Sequence, residues 1–338
     1  MMRAPAFWAR ERQSAQSVLL APAAALWGAL AARRMKRVRV KPPAPTICVG
    51  NFVVGGAGKT PVAAYLHDRL RQMGLAPAIV CRGYRGSLSG REPVVVDPLC
   101  HDAAQVGDEA YMLARRGAMV VIGADRAASI VMACNVGARS IVMDDGFQTV
   151  PLLFASVLVA DAPAGLGNGR VLPAGPLRAP LPAQWSNASA LVLIDEGAPG
   201  ERLEQEARRR GLPVFHAALA ADENAARELQ GRRVLAFAGI GRPEKFFHTL
   251  EQTGADVVAR RSFPDHHAYR PGDLARLERL AREWDAEVLV TTEKDMARLA
   301  HLGNAAAERF RALPVEVELR ESAAVSAWLE HALDACAI

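Results

Sequence analysis

Two short stretches of this chain carry residues whose types and order suit phosphate chemistry. The first runs Ile47-Cys48-Val49-Gly50-Asn51-Phe52-Val53-Val54-Gly55-Gly56-Ala57-Gly58-Lys59-Thr60, an apolar segment passing through a glycine-rich turn. Glycines at 55, 56 and 58 let backbone N–H groups approach phosphate oxygens, Lys59 can reach the outer phosphates, and the Thr60 hydroxyl suits Mg²⁺. The spacing G-x-x-x-x-G-K-[ST] asks for glycine at position 53 and meets Val53, so the turn is expected on Gly55 and Gly56. Val53, Val54, Gly55, Gly56, Ala57, Gly58, Lys59 and Thr60 are therefore the expected nucleotide-binding loop. Pro61 falls in the first turn of the helix that follows, where a missing N–H costs little. The second stretch, Ile141-Val142-Met143, ends in Asp144-Asp145-Gly146-Phe147-Gln148. A carboxylate at the end of a buried strand can hold Mg²⁺ directly or through water, so Thr60, Asp144 and Asp145 are the expected metal ligands and Glu109 a further candidate.

Other segments could act on an anionic substrate. Arg82-Gly83-Tyr84-Arg85-Gly86 is cationic and broken by glycine, with a plain surface turn as the alternative. Gly107-Asp108-Glu109 opens a helix, where Asp108 is either a cap or a general base. Asp265-His266, in the aromatic loop Phe263–Tyr269, stands out among eight histidines, with an ordinary turn as its alternative. The run Gly165–Arg178 is a long loop whose glycines and prolines favour an ordered path and whose arginines, 170 and 178, could meet phosphate.

The elements that must position these residues alternate along the chain. Strands are expected at 46–50, 77–81, 119–122, 140–143, 156–160 and 190–194, with helices at 60–73, 107–116 and 124–136. Continuous apolar strands alternating with helices imply a parallel sheet covered on both faces, with active residues at the carboxyl ends of its strands. A polar, Ala-rich stretch near 220–231 marks a boundary, after which strands at 233–238, 256–261 and 287–291 and helices at 243–253 and 271–284 form a smaller α/β unit. The division expected is thus 1–41, 42–222 and 223–338.

Between Arg12 and Arg33 lie 20 uncharged residues, which as one helix would extend roughly 30 Å, a bilayer's thickness. Six cations follow within nine residues, Arg33, Arg34, Lys36, Arg37, Arg39 and Lys41, placed to meet anionic lipid headgroups. A secretion signal would carry its charge mainly before the apolar run. The alternatives are a buried Ala-rich helix and, for a membrane segment, either spanning or lying on the surface. The 338 residues, 51% hydrophobic and 23% charged, describe a globular chain long enough for two cores, and the net charge of +5 is modest. No nucleic-acid partner is expected. Five cysteines form no C-x-x-C pair, which suits reduced thiols in a cytoplasmic protein and no metal or disulfide frame.

Eight blocks in order, Gly50-Asn51 through Pro61, Arg82-Gly83-Tyr84, Val106-Gly107-Asp108-Glu109, Ala124-Asp125-Arg126, Asp144 to Gln148, Leu172 to Arg178, Phe263 to His267 and Thr292-Glu293-Lys294-Asp295, resemble the tetraacyldisaccharide 4′-kinase family of lipid A biosynthesis. The resemblance covers nearly the whole chain. It implies a P-loop α/β core, a smaller C-terminal α/β domain and an N-terminal membrane-associating helix. It implies transfer of the γ-phosphate of ATP, with Mg²⁺, to the 4′-hydroxyl of an acylated glucosamine disaccharide 1-phosphate, giving lipid IVA at the cytoplasmic face of the bacterial inner membrane. By the same resemblance Asp108 is the base, His266 tunes it, Lys59 neutralises charge, and Asn51, Arg82, Gly83, Tyr84, Arg126, Gln148 and Arg178 hold the substrate.

Four positions depart from the family pattern. Thr149 replaces a usual histidine, Leu153-Phe154-Ala155-Ser156 lacks an Arg-Asp pair, Ala179 replaces a glutamate, and Ala110 stands where proline is common. The loss of a carboxylate at 179 hints at altered contacts to the lipid or sugar. The glycine loop is also similar to those of other P-loop transferases and of membrane-bound partitioning ATPases, which carry a lysine where this chain has Val54. No Asn-Lys-x-Asp run for guanine and no G-x-G-x-x-G after the first strand is present.

Overall fold

The computed structural model describes residues 5–9, 14–37, 40–90, 92–148, 152–302 and 309–337; Arg39 and Thr149 lie outside them. In chain order, α1 (Ala15–Leu19) and α2 (Ala21–Met35) precede β1 (Thr46–Asn51), α3 (Lys59–Gln72), β2 (Pro77–Cys81) and β3 (Val94–Val95). Then come α4 (Ala103–Val106), α5 (Asp108–Arg115), β4 (Val120–Ile122), α6 (Arg126–Asn135), β5 (Ser140–Asp144) and β6 (Ala155–Asp161). They are followed by α7 (Leu181–Trp185), β7 (Ala190–Ile194), α8 (Ala198–Arg209), β8 (Val214–Ala221) and α9 (Glu223–Leu229). The chain continues through β9 (Arg233–Ala238), α10 (Pro243–Gln252), β10 (Asp256–Ser262), α11 (Pro271–Glu283), β11 (Val288–Thr292) and α12 (Glu293–Leu299). It closes with β12 (Phe310–Leu313), β13 (Val315–Leu319) and α13 (Ser322–Ala337).

The first sheet has nine strands in the order β13-β8-β7-β6-β1-β5-β2-β4-β3. Its seven central strands are parallel, and the outermost strands, β13 and β3, pair antiparallel. Strands buried on both faces explain the unbroken apolar runs in the sequence. Along β1, Ile47 and Val49 join one core with α3, α5 and α13, while Cys48 joins the other with α2, α6, α7 and α8. The glycine loop leaves the carboxyl end of the sheet's central strand, flanked by β5 and β6.

Residues 233–313 contain a second, four-stranded parallel sheet, ordered β10-β9-β11-β12. The expected division at 222/223 needs one correction, because the chain does not stay with this sheet to its end. Val315–Leu319 returns to pair with β8, and Val325 and Leu329 of α13 enter the first sheet's core. The physical reason is that an open edge of β8 would leave backbone groups unpaired. Ionic contacts join the two sheets: Lys245 of α10 reaches Asp161 (2.7 Å) and Asp195 (2.9 Å) at the ends of β6 and β7.

The long N-terminal apolar run is not one helix. It breaks at Leu20, because Pro22 in the first turn of α2 has no N–H to continue the ladder of α1. The 15 residues of α2 extend only about 22 Å, and among the described residues no helix is long and apolar enough to cross a membrane. Ala24, Gly28, Ala31 and Met35 of α2 face the protein, and Gly28 lies against Pro180 and Val171. Leu26, Trp27 and Leu30 remain exposed, as do Val18 and Leu19 of α1.

Candidate active site

The glycine loop is held from beneath by side-chain amides. Asn51, fully buried at the end of β1, donates from Nδ2 to the carbonyls of Val53 (2.6 Å) and Gly55 (3.3 Å). Gln148 donates to the Asn51 carbonyl at 2.8 Å and to Gln184 at 3.1 Å, and Gln184 in turn donates to Ala179 and Phe52. Asn51 and Gln148, expected on the substrate, thus direct these bonds at the loop's own support.

Val53 needs no glycine because it sits in a strand-like bridge with Leu177, and the Val54 N–H donates to Pro176 at 2.8 Å. The left-handed backbone falls at Gly55 (φ 120°) and Gly58 (φ 83°), not at the expected Gly55-Gly56 pair. A methyl at Gly58 would meet Ile194 at 2.2 Å, whereas one at Gly55 or Gly56 would meet no atom within 4 Å. The loop therefore packs at one end and stands open over 55–56. Ala57 is buried under it, and Lys59 opens α3. The loop Gly165–Arg178, expected to be ordered, meets this motif from the side. The Arg178 N–H donates to the Phe52 carbonyl (2.9 Å), and its guanidinium reaches the Val53 carbonyl (3.2 Å) and Asp145 (2.7 Å).

Thr60 and Asp144 meet as the sequence pattern suggested, with the hydroxyl donating to Oδ2 at 3.1 Å. Burial, then the nearby Glu109, push the Asp144 carboxyl up to about 7, and its Oδ1 is buried without a partner among the described residues. Beside it, Asp145 has a left-handed backbone (φ 58°). Burial opposes its ionisation, but Lys59 and Arg178 together hold its carboxyl below the usual range. Lys59 is itself lowered by burial, with Asp145 opposing. Arg126, on the first turn of α6, is buried and donates to the carbonyls of Gly123 and Asp145, the latter at 3.4 Å. A small hard cation fits this set: one orphaned buried carboxylate oxygen, a hydroxyl beside it and a second carboxylate within the same turn. Among the described residues no group of three or more His, Cys, Asp or Glu side chains is gathered for a metal, so Glu109 does not join Asp144 and Asp145 in one ligand set. Glu109 turns instead to Lys294 of α12, an ion pair with the second sheet's side of the molecule.

The Arg82 loop and the start of α5 cross closely. A methyl at Gly83 would strike the Val106 carbonyl at 2.9 Å and one at Gly107 the Tyr84 carbonyl at 2.7 Å, and both glycines have left-handed backbones. Their crossing sets Asp108 beside Tyr84. Gly107, not Asp108, occupies the cap position, and Asp108 begins the helix. Asp108 Oδ2 accepts from His266 Nδ1 at 3.1 Å, joining residues 158 positions apart. The Tyr84 ring lies edge-on to the His266 ring at 5.7 Å, and the backbone of His266 is left-handed (φ 57°). Arg82 and Arg85 are exposed at this mouth.

Arg298, which sequence reasoning passed over, donates to the same Asp108 oxygen from Nε at 2.9 Å and also from Nη2. Burial opposes ionisation of Asp108, but the His266 hydrogen bond and the Arg298 guanidinium hold its carboxyl well below the usual range. The available signal was the Asp295 and Arg298 spacing of three, which puts both on one helix face.

The sequence matches the family model for tetraacyldisaccharide-1-P 4′-kinase over residues 16–334. It is 49% identical over 329 residues to a tetraacyldisaccharide 4′-kinase of Methylorubrum extorquens, covering 96% of this chain and 99% of that one. It is 50% identical to the enzyme of that name from Methylobacterium nodulans, with 95% and 93% covered. The fold is similar to that of LpxK from Aquifex aeolicus in complex with ATP, with a TM-score of 0.72 and 25% identity over 94% of this chain and 99% of that one. A glycine loop facing an aspartate pair on one sheet, matched in sequence almost from end to end, leaves one conclusion: the chain belongs to the tetraacyldisaccharide 4′-kinase family.

Proposed function

We propose that this kinase transfers the γ-phosphate of ATP to the 4′-hydroxyl of an acylated glucosamine disaccharide 1-phosphate, forming lipid IVA at the cytoplasmic face of the inner membrane. The observation that carries the reading is the Asp108–His266 contact at 3.1 Å, which brings a paired base to the sheet edge that holds Lys59, Thr60 and Asp144. The open backbone over Gly55 and Gly56 receives the phosphates, and Lys59 neutralises their charge. Thr60, Asp144 and Asp145 would hold Mg²⁺, which would supply positive charge against the phosphates. Asp108 accepts the proton of the attacking hydroxyl, with the imidazole of His266 donating to the carboxylate and orienting it. Arg82, Tyr84 and Arg85 line the same mouth, where they meet the sugar and its phosphate. Arg126 and Arg178 act one step back, on Asp145 and the loop.

The apolar side of α1 and α2, with Val18, Leu19, Leu26, Trp27 and Leu30 exposed, supports an enzyme that lies on the membrane surface beside its acylated substrate. Arg33 and Arg34 in the last turn of α2 would meet anionic headgroups there. The test is labelled-phosphate transfer from Mg-ATP to tetraacyldisaccharide 1-phosphate in detergent micelles, with Lys59→Ala as control. A labelled lipid that is lost in the control is the expected result. Free phosphate alone would favour a membrane-associated P-loop ATPase.

A further inference from the structure

The stretch Thr292-Glu293-Lys294-Asp295 has no role in the chemistry so far, yet it forms the helix that grips α5. Every charged residue of α12 that faces the first sheet is paired there or within α12. Glu293 pairs with Arg116, Lys294 with Glu109, and Arg298 with both Asp108 and Asp295. Beneath them Asp295 is fully buried and its oxygens accept four hydrogen bonds. Tyr269 (3.0 Å) and Arg298 (2.7 Å) donate to Oδ1, while Thr292 (2.7 Å) and the Gly239 N–H (3.0 Å) donate to Oδ2. Arg298 also donates to the Gly239 carbonyl at 2.8 Å. Its fork is therefore fixed on one side by the second sheet's core and offered on the other to Asp108.

We infer that Arg298, oriented by Asp295, acts with His266 to position the Asp108 carboxylate for the acceptor hydroxyl; this rests on the phosphotransfer reading above. The geometry says which oxygen does the work. Oδ2 of Asp108 takes Nε and Nη2 of Arg298 and Nδ1 of His266, so its acceptor capacity is filled. Among the described residues Oδ1 takes only the Glu109 N–H at 3.0 Å and keeps a lone pair. The hydroxyl therefore approaches Oδ1, and its proton moves there as the new O–P bond forms and the bond to the ADP oxygen breaks. A weakly basic carboxylate suffices, because in a loose phosphoryl-transfer transition state placement matters more than base strength. Lysine at 298 would supply charge without the planar fork that fills two sites on one oxygen.

The experiment compares kcat and the KM for ATP in the micelle assay for Arg298→Ala, Arg298→Lys and Asp108→Asn, with thermal melting of each. Arg298→Ala is expected to lose about 10- to 100-fold in kcat, the scale of a displaced catalytic group, with the KM for ATP within about twofold because the glycine loop is untouched. Added guanidinium ion should restore several-fold of that loss by refilling the vacated site, which a merely structural residue would not allow. Arg298→Lys should fall between the two and melt close to wild-type, so it decides the matter if the alanine variant does not fold. Wild-type kcat in either variant, or a loss that guanidinium leaves unchanged, overturns the inference. If Asp108→Asn keeps wild-type kcat, the base reading itself fails; if it is inactive while Arg298→Ala is unimpaired, only the role of Arg298 fails.

Discussion

Gly56→Ala separates folding from nucleotide binding more cleanly than any other change in the glycine loop. The residue is exposed, its φ lies outside the left-handed region, and an added methyl meets no atom within 4 Å. The described residues leave room for the methyl, and the lost freedom of the unfolded chain favours it by about 0.4–1 kcal/mol. The melting temperature should hold or rise slightly. Binding of ATP should suffer, because the open volume over 55–56 is where phosphate oxygens must approach the backbone. Losing one hydrogen bond to a charged group costs about 1.5–3 kcal/mol, which is roughly 10- to 150-fold in Kd. Gly58→Ala makes the contrast. There a left-handed backbone (φ 83°) and a 2.2 Å approach to Ile194 both resist a side chain. Overpacking alone should destabilise that variant by about 1–3 kcal/mol. Calorimetric titration with Mg-ATP and thermal melting of both variants decide the matter. An unchanged Kd for Gly56→Ala would refute the phosphate cradle, and a large fall in its melting temperature would refute the open space.

Two other predictions use different parts of the molecule. His216 on β8 lies between Glu321 (2.9 Å) and Glu204 (3.2 Å); burial opposes its protonation, but both carboxylates raise its pKa above the ordinary 6.5. A raised folded-state pKa contributes stability that is present below the unfolded value and is lost as pH rises through the folded one. The melting temperature of wild-type should therefore exceed that of His216→Gln more at about pH 6 than at about pH 8.5, and a gap independent of pH would refute the linkage. On α2, Leu26→Asp with Leu30→Asp should leave melting unchanged, since both side chains are exposed at 66% and 48%. Co-sedimentation with anionic vesicles should fall at least about tenfold, given roughly 1.5–3 kcal/mol for each buried leucine, and undiminished binding would count against membrane contact through this face.

Much of the candidate site's layout was legible in the sequence because it follows from local order. A buried strand, glycines, Lys59 and Thr60 form a glycine loop within 14 residues, and an apolar run ending at Asp144-Asp145 carries its acids to the same sheet edge whenever the strands are parallel. Nine strands were equally readable, since burial leaves apolar runs, and their expected ends lie within one or two residues of those observed; β3, β8, β12 and β13, partly exposed, were not expected. Charge and hydropathy alone could not say that the N-terminal run breaks at Leu20, because Pro22 decides its hydrogen bonding while an apolar count ignores it.

Only the tertiary structure decided which side chains meet across long separations. Asp108 and Arg298, 190 positions apart, are linked by no periodic pattern, and their contact exists because α12 packs on α5. The return of Val315–Leu319 to β8 is of the same kind, a pairing set by an open sheet edge far back in the chain. Asn51 and Gln148 looked like substrate ligands from their place in the motif, yet their amides are turned inward to the loop's own carbonyls. Local sequence fixes backbone conformation and burial pattern through short-range sterics and hydropathy, whereas the direction of a buried polar side chain is set by whichever unpaired group the completed fold places beside it.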